Sequence, residues 1–212
     1  QVNWYAAIAF CNKLSLATGK NPVYYINGVN WAALTYSGIP HVNNDDWDAV
    51  TVVPGADGYR LPTEAEWMWA AMGADTDSPG QLNTTGYGKA FAGSNGANNI
   101  GDYAWYIDNC GSAGTHQVGK KNANELGLYD MSGNVWELTY DWKNFYTTGT
   151  LVDPTGPTGP VSSGSSDSGR YRMVRGGSWI NTSAYCTIAI RVSISPGSGD
   201  MNTGFRVVRT AP

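Results

Sequence analysis

The most regular hydrophobic pattern in the chain lies near its beginning. Apolar side chains recur at roughly helical spacing between Trp4 and Ala17, in the segment WYAAIAFCNKLSLA, as expected of a helix with one buried face. Asn3 is a residue type that caps helix N-termini, and Gly19 is suited to follow a helix C-terminus. We therefore predict a helix over residues 4–17, with an apolar face that includes Ile8, Cys11, Leu14 and Leu16.

A second helix is predicted by its first residues. In Thr63-Glu64-Ala65-Glu66, the threonine hydroxyl can accept from a helix amide while Glu66 reaches back, which is the arrangement of a capping box. Trp67 and two alanines continue the pattern, and Gly73 is expected to end the helix.

The strands are predicted to be short and the connections long. Val23–Val29 contains the Asn-Gly pair of a tight hairpin turn, Asp102–Tyr106 is expected to form a short strand, and Gly204–Val208 alternates like a half-buried strand. Segments rich in Gly, Asn, Ser and Pro predict loops at Asp75–Asn99 and Asp153–Ser168.

Composition supports a loop-rich fold held by aromatic side chains. Only 14% of residues are charged, whereas the chain contains 27 Gly, 9 Trp and 13 Tyr; Tyr87 and Phe91 are expected to anchor the first long loop. A net charge of −4 without a basic stripe argues against nucleic acid as a partner. No apolar run reaches membrane-spanning length. Cys11 is expected to be a buried free thiol, and the pairing of Cys110 and Cys186 cannot be deduced from the sequence.

Four motifs occur in order along the chain: GYRLPTEAEW (Gly58–Trp67), NELGLYDMSGNVWEL (Asn124–Leu138), RGGSW (Arg175–Trp179) and GFRVV (Gly204–Val208). Together they resemble the formylglycine-generating-enzyme (sulfatase-modifying factor) domain family. The resemblance implies an α+β fold of the C-type-lectin type, loop-rich, with two main helices and short antiparallel strands in a single domain, 1–212. The first strands of the family have no counterpart before Gln1, so we expect that some N-terminal sequence is missing.

The family includes enzymes, so the residues at their active-site positions matter. The resemblance places the two copper-binding cysteines of the formylglycine-generating oxygenases at Asn181 and Cys186. An amide cannot replace a thiolate as a ligand of a soft metal, so neither copper nor catalysis is expected. His41 and His116 cannot complete the three-histidine iron site of the ergothioneine-pathway relatives. A copper oxygenase is the alternative function. Asn181 distinguishes it from a binding protein, because a binding protein tolerates asparagine there and the oxygenase needs cysteine.

The tail from Arg170 to Val208 resembles the variable region of proteins diversified by retroelements, of the treponemal variable protein type. Such systems substitute at template adenines, and an AAC-type codon changed in this way cannot encode Lys, Glu, Gln, Trp or Met. Between Ile180 and Thr203 only Met201 lies outside the attainable set. The resemblance therefore implies massive sequence variation over about 180–203. The expected ligand-binding positions are Ile180, Asn181, Thr182, Ser183, Tyr185, Thr187, Ile188, Ile190, Val192, Ser193, Ile194, Ser195, Ser198, Asp200 and Asn202.

The alternating aliphatic residues of this tail have two interpretations. Period-two alternation makes them the buried face of a strand; the set is Ile188, Ile190, Val192 and Ile194. The resemblance implies the reverse, in which Cys186, Ala189 and Arg191 form a fixed framework and the aliphatic residues are exposed and variable. We adopt the second interpretation, and we expect the strand to become a loop beyond about Val192.

The function implied by this resemblance is recognition without chemistry. The ligand would be an unknown protein or glycan bound through the variable surface. Tyr185 would be the anchor because tyrosine buries much area at little entropic cost; Asn181, Thr187, Ser193 and Asp200 would offer hydrogen bonds. The resemblance to treponemal proteins also implies export and a lipid-anchored position at the cell surface.

One further segment resembles a calcium site of the family. The ligands implied are the carboxylates of Asp130 and Glu137 and the carbonyls of Gly133 and Val135, hard oxygens of the kind that calcium prefers. The alternative is that Asp130 stabilises a turn while Glu137 pairs with an arginine such as Arg175 or Arg206. A second calcium site is expected around Asn98–Asp102.

Overall fold

Both main helices form where their flanking residues predict them. Helix α1 spans Trp4–Ala17; Asn3 Oδ1 accepts a hydrogen bond from a first-turn amide at 2.8 Å. Gly19 follows in the left-handed conformation, with φ +69°. Helix α3 spans Glu64–Met72 and is followed by Gly73 with φ +75°. Each helix therefore ends at a glycine that reverses the backbone without a side-chain penalty.

The structure, a computed structural model, describes residues 1–73, 89–112, 114–146, 149, 154–160 and 170–210. Between and after these helices, the described elements are short. They are β1 (Tyr24–Tyr25), the one-turn helix α2 (Asp45–Asp48), β2 (Thr51–Val52), β3 (Tyr59–Arg60), β4 (Trp136–Trp142), β5 (Arg172–Arg175), β6 (Val192–Ile194), β7 (Thr203–Phe205) and β8 (Val208–Arg209), with 3-10 turns at Tyr36–Gly38, Ile100–Asp102 and Ser183–Tyr185.

The strands form three small sheets. One four-stranded sheet has the order β6-β5-β4-β7, and the pairs β1–β2 and β3–β8 are antiparallel. The architecture is thus α+β with short strands, as expected. The prediction of one domain over 1–212 stays a prediction: the chain divides into a first compact unit (1–63, 138–173 and 193–212) and a second (64–137 and 174–192).

Three predictions of local structure are wrong. Val23–Val29 is no hairpin, because Tyr24 and Tyr25 pair with Val52 and Thr51, although a turn does occur at Asn27-Gly28. Asp102–Tyr106 is not a strand: Asp102 ends a 3-10 turn, and Trp105 forms an isolated bridge with Gly133. The terminal strand is interrupted, since β7 ends at Phe205 and β8 begins at Val208.

A buried arginine lies in the core of the first unit. The Arg172 guanidinium lies 3.6 Å from the ring centre of Trp4 and 3.3 Å from that of Trp142. It donates to Tyr140 O at 2.7 Å. Burial lowers the pKa of Arg172 to about 9, because the charged form loses its water. The aromatic faces partly replace that lost solvation through cation–π attraction.

The core of the second unit forms on one side of α3. Trp67 and Ala71 pack in a buried cluster with Met131, and Trp67 Nε1 donates to Glu137 Oε2 at 2.6 Å. Phe91 is buried with its ring centre 5.6 Å from that of Tyr103, which confirms its role as an anchor. Tyr87 lies outside the described residues.

Candidate ligand-binding surface

The RGGSW motif brings the backbone close to its neighbours through two glycines. Gly176 and Gly177 have φ values of +93° and +78°, a region that residues with a Cβ rarely adopt. A Cβ at Gly176 would lie 3.1 Å from the Trp67 ring, and one at Gly177 would lie 2.7 Å from Cys186 Sγ. The backbone of the tail therefore approaches α3 at Gly176, and the 3-10 turn of the tail at Gly177, more closely than a residue with a Cβ would allow.

Arg175 holds the next part of the tail by its backbone. Its side chain is fully buried. The guanidinium donates to the carbonyls of Ile188 at 2.7 Å, Ile190 at 2.5 Å and Ala189 at 3.4 Å. Three consecutive carbonyls thus converge on one side chain, and hydrogen bonds to a charged donor are stronger than neutral ones.

Glu64 joins this arginine to a second one. The Glu64 carboxylate accepts from Arg191 Nε and Nη2 at 2.6 Å each, and Arg175 Nε lies 3.6 Å from Glu64 Oε1. Glu64 is buried in the first turn of α3, where the helix dipole also favours a negative charge. The structure thus joins Arg191 to the buried residues Glu64 and Arg175, whereas the expectation that Arg191 does not vary stays a prediction.

Asn134 is a positioning residue that the sequence did not reveal. It is buried and left-handed, with φ +61°. Its side chain accepts from His116 N–H and donates to His116 O, both at 3.1 Å. Its backbone N–H donates to Trp105 O, and its carbonyl accepts from Trp179 N–H. The available signal was the Gly133-Asn134 pair, because asparagine is the commonest residue after glycine in this conformation.

Most of the predicted binding positions in the second unit are accessible. Ile180 and Tyr185 are 46% and 47% exposed, and Thr182 is exposed as well. The half-buried positions are Asn181, Ser183, Thr187, Ile190 and Val192. From Ile180 to Ile190 the sequence contains no Asp, Glu, Lys, Arg or His, so this face is neutral.

Two expectations for this segment are wrong. Ile188, predicted to be exposed, is 5% exposed and belongs to the core cluster of Trp67 and Met131. Its carbonyl is held by Arg175 and its amide donates to Ala90 O, which leaves its side chain in the core. The second concerns the strand, which begins at Val192 instead of giving way to a loop there. Simple alternation fails too, since the other three aliphatic residues are half-buried. Ala189 is exposed while its carbonyl accepts from Arg175, so its place in the fixed framework stays a prediction.

The remaining predicted positions lie in the first unit. Ser198 and Asp200 are exposed, while Ser193, Ile194, Ser195 and Asn202 are half-buried. The loop that carries them is held by residues outside the predicted variable region: Asn43 Oδ1 accepts from Ser195 Oγ at 2.6 Å, and Asn3 Nδ2 donates to Gly197 O at 3.1 Å.

The two positions that the resemblance assigns to the oxygenase cysteines both contact Ser178. Asn181 Oδ1 accepts from Ser178 Oγ at 2.6 Å, and Cys186 Sγ lies 3.9 Å from Ser178 O. Burial raises the pKa of the Cys186 thiol to about 12, and the thiolate is the metal-binding form. The site therefore offers one protonated thiol and one hydrogen-bonded amide, a poor donor set for copper(I).

The cysteines and histidines have structural surroundings. All three cysteines are buried and free, as expected for Cys11. The His116 ring stacks on Trp105 at 3.8 Å, and its Nε2 lies 2.8 Å from Cys110 O. The ring of His41 contacts that of Tyr36 at 5.3 Å. Within the described part of the chain, no three His, Cys, Asp or Glu side chains are grouped as metal ligands.

The predicted calcium ligands occupy a folded turn whose carboxylates already accept hydrogen bonds. Asp130 is left-handed at φ +55°, and its Oδ2 accepts from Gly119 N–H at 2.8 Å. Glu137 accepts from Trp67 Nε1. The buried carboxylates suit a hard cation, and calcium would compete with these two donors for them. The ligand set of Asp130, Gly133, Val135 and Glu137 therefore stays a prediction, as does a site at Asn98–Asp102.

Known proteins resemble this chain over nearly its whole length. Chaperone protein LppX of Paenibacillus barcinonensis is 31% identical over 99% of this chain and 69% of its own length. The formylglycine-generating enzyme of Streptomyces coelicolor is 30% identical over 92% of this chain and 64% of its own length. The chain therefore spans about two thirds of the length of these relatives.

Solved structures show the same relationship. Treponema denticola variable protein 1 superposes with a TM-score of 0.81 and 42% identity, over 97% of this chain and 68% of that one. A structure of CarF superposes with a TM-score of 0.69 and 30% identity, over 100% of this chain and 67% of that one. In the described residues, no helix is long and apolar enough to cross a membrane. The family model of the sulfatase-modifying factor enzyme 1-like domain matches residues 1–211, and the chain belongs to that family.

Proposed function

We propose that this chain is a non-catalytic variable protein that binds a protein or glycan ligand through its tail. The observation that carries the proposal is the 42% identity to Treponema denticola variable protein 1 over 97% of the chain. The tail supports it as well, because uncharged side chains between Ile180 and Ile190 are accessible, while Arg175, which holds the backbone there, is buried. A fixed frame with exchangeable surface residues suits recognition of changing ligands.

The proposal includes diversification by a retroelement, which population sequencing tests directly. The gene would be sequenced from many cells of the source population. Substitutions should cluster between Ile180 and Thr203, correspond to adenines of a template copy, and spare residues 1–179. A tail as uniform as the rest of the chain would contradict diversification.

Absence of catalysis is tested by the reaction of the related oxygenases. The chain would be incubated with copper, oxygen and a cysteine-containing sulfatase peptide, beside a formylglycine-generating enzyme as positive control. We expect no aldehyde, since Asn181 replaces a thiolate ligand. Aldehyde formation that disappears in Cys186→Ala would instead establish the copper oxygenase, the function that the retained cysteine would favour.

Ligand recognition is expected to depend on Tyr185, which is half exposed beside the buried frame. Once arrays of glycans and surface proteins identify a ligand, Tyr185→Ala should weaken its affinity by about 30-fold, equivalent to about 2 kcal/mol for a central aromatic residue. Tyr25→Ala is the matched control, because Tyr25 is exposed to a similar extent on β1. Equal effects of the two variants would remove Tyr185 from this role.

We also propose that the protein is exported and displayed at the cell surface through a lipid anchor, as for a protein that meets external ligands. Protease treatment of intact cells should remove the protein while a cytosolic marker survives. Protection of both proteins until the cells are lysed would contradict surface display.

A further inference from the structure

The contacts that hold residues 188–190 are made to their backbone. Arg175 binds the carbonyls of Ile188, Ala189 and Ile190, and every amino acid has such a carbonyl. A hydrogen bond to a backbone carbonyl survives when the side chain on that residue changes. This segment is therefore held in a way that does not depend on the identity of its exposed side chains.

The arginine is itself held by residues outside the variable positions. Glu64 lies in the first turn of α3 and binds Arg191 through both carboxylate oxygens, while Arg175 Nε lies 3.6 Å from the same carboxylate. Arg175 and Glu64 are both buried. The backbone hydrogen bonds from Arg175 and the ion pair between Glu64 and Arg191 together hold residues 188–191, and we call this pair of contacts the clamp.

The 3-10 turn at Ser183–Tyr185, which precedes the clamp, packs closely against the backbone of Gly177. The close approach at Gly177 places Cys186 Sγ and Tyr185 O within 2.7 Å of where a Cβ would stand. Cys186 is fully buried, so its thiol reacts with reagents only when this turn opens. Its reactivity thus reports local opening of the segment that precedes the clamp.

We propose that Arg175, supported by Glu64, is a positioning residue for ligand binding, which fixes the path of residues 186–191 so that the exposed side chains can be exchanged without changing it. The role in binding rests on the proposed function, whereas the fixed path is a property of the chain that is measurable without any ligand. Ile188 is the exception within the segment, because its side chain is part of the core.

The first test is the rate at which iodoacetamide labels each cysteine in the folded chain, resolved by mass spectrometry. Arg175→Lys keeps the charge but loses the planar fork that reaches several carbonyls. We expect labelling of Cys186 to rise at least about tenfold relative to Cys11, which reports on the first unit. Arg172→Lys is the matched control, since Arg172 is an equally buried arginine whose described contacts lie in the first unit. It should not raise the ratio of Cys186 to Cys11 labelling.

A purely structural arginine would give a different result. Arg175→Lys would then destabilise the chain as a whole and raise labelling of both cysteines in parallel, which would overturn the proposal. If Arg175→Lys does not fold, Arg191→Gln breaks the partly exposed side of the clamp. It should show the same selective rise at Cys186, and an unchanged ratio would overturn the proposal equally.

The second test asks whether the clamp confers tolerance to substitution. Thr187→Asn and Ile190→Asn change accessible positions by substitutions of the attainable type. In the parent chain they should leave Cys186 labelling within about twofold. In the Arg191→Gln background the same changes should raise it at least about fivefold further. Additive effects in the two backgrounds would refute the clamp. A protein with a working clamp that binds no array ligand would disfavour only the proposed function.

Discussion

Ile188 is predicted to be a variable surface residue but lies in the core, so we expect Ile188→Ala to be strongly destabilising. The side chain is 5% exposed among Trp67, Ala71, Met72, Ala92 and Met131. Removing a buried isoleucine side chain and leaving a cavity costs about 2–5 kcal/mol. Because the two methionines are flexible and can fill part of the cavity while the Trp67 ring is rigid, we expect an intermediate cost of about 3 kcal/mol. For a chain of this size, that corresponds to a fall in Tm of about 6–12 °C.

The assay is urea and thermal unfolding followed by circular dichroism. Ile180→Ala is the control, because Ile180 is the same residue type in the same segment but is 46% exposed; its change should stay below about 1 kcal/mol. Ile188→Asn should lower the free energy of unfolding by about 1–3 kcal/mol more than the alanine variant, since its side-chain amide would be buried without a hydrogen-bond partner. Equal stability of the Ile188 and Ile180 alanine variants would refute the assignment of Ile188 to the core.

Three further predictions concern the backbone at Gly177, the buried thiols and the predicted calcium site. Gly177→Ala should destabilise the chain by about 2–4 kcal/mol in urea unfolding, because the left-handed backbone and the contact with Cys186 both penalise a methyl group; a neutral effect would exclude the close approach. Burial raises the pKa values of Cys11 and Cys186 from 9.0 to about 12, so stability should fall by about 1.4 kcal/mol per pH unit per thiol as pH rises from 9 towards 12. Unfolding at stepped pH should show this slope reduced in Cys186→Ala, and an unchanged slope would contradict it. If Asp130 and Glu137 bind calcium, 5 mM calcium should stabilise the chain by about 1–2 kcal/mol and Asp130→Asn should abolish the effect; calorimetry without heat of binding would favour the purely structural turn.

The sequence predicted best what depends on near neighbours. The bounds of α1 follow from the cap at Asn3 and the glycine after the helix, and both signals act within a few residues. The hairpin at Val23–Val29 was wrong because the partner strand of Tyr24 and Tyr25 lies more than twenty residues away. A local turn signal cannot reveal that the flanking residues pair elsewhere.

In the candidate site of the tail, too, the sequence did not reveal contacts between residues that are far apart in the chain. The motifs predicted where the tail begins and ends, and Ile180 and Tyr185 are exposed, as expected. The role of Arg175 was missed because its partners are backbone carbonyls, which leave no trace in residue type. The capping box predicts roles for Thr63 and Glu66 but none for Glu64, whose carboxylate binds Arg191, a residue 127 positions later. Ile188 was misassigned because its environment is set by these distant contacts.

The first unit also constrains the order in which the chain can fold. Asn3 Nδ2 donates to the carbonyl of Gly197, 194 positions later, and Trp4 N–H donates to Pro196 O at 3.0 Å. At about 5–20 residues per second, the ribosome needs roughly 10–40 s to add those residues. Helix α1 therefore waits for the tail before the hydrogen bonds of its N-terminal turn are complete. Under the proposed diversification, each new tail sequence would therefore have to complete these contacts with α1 as well as bind a ligand.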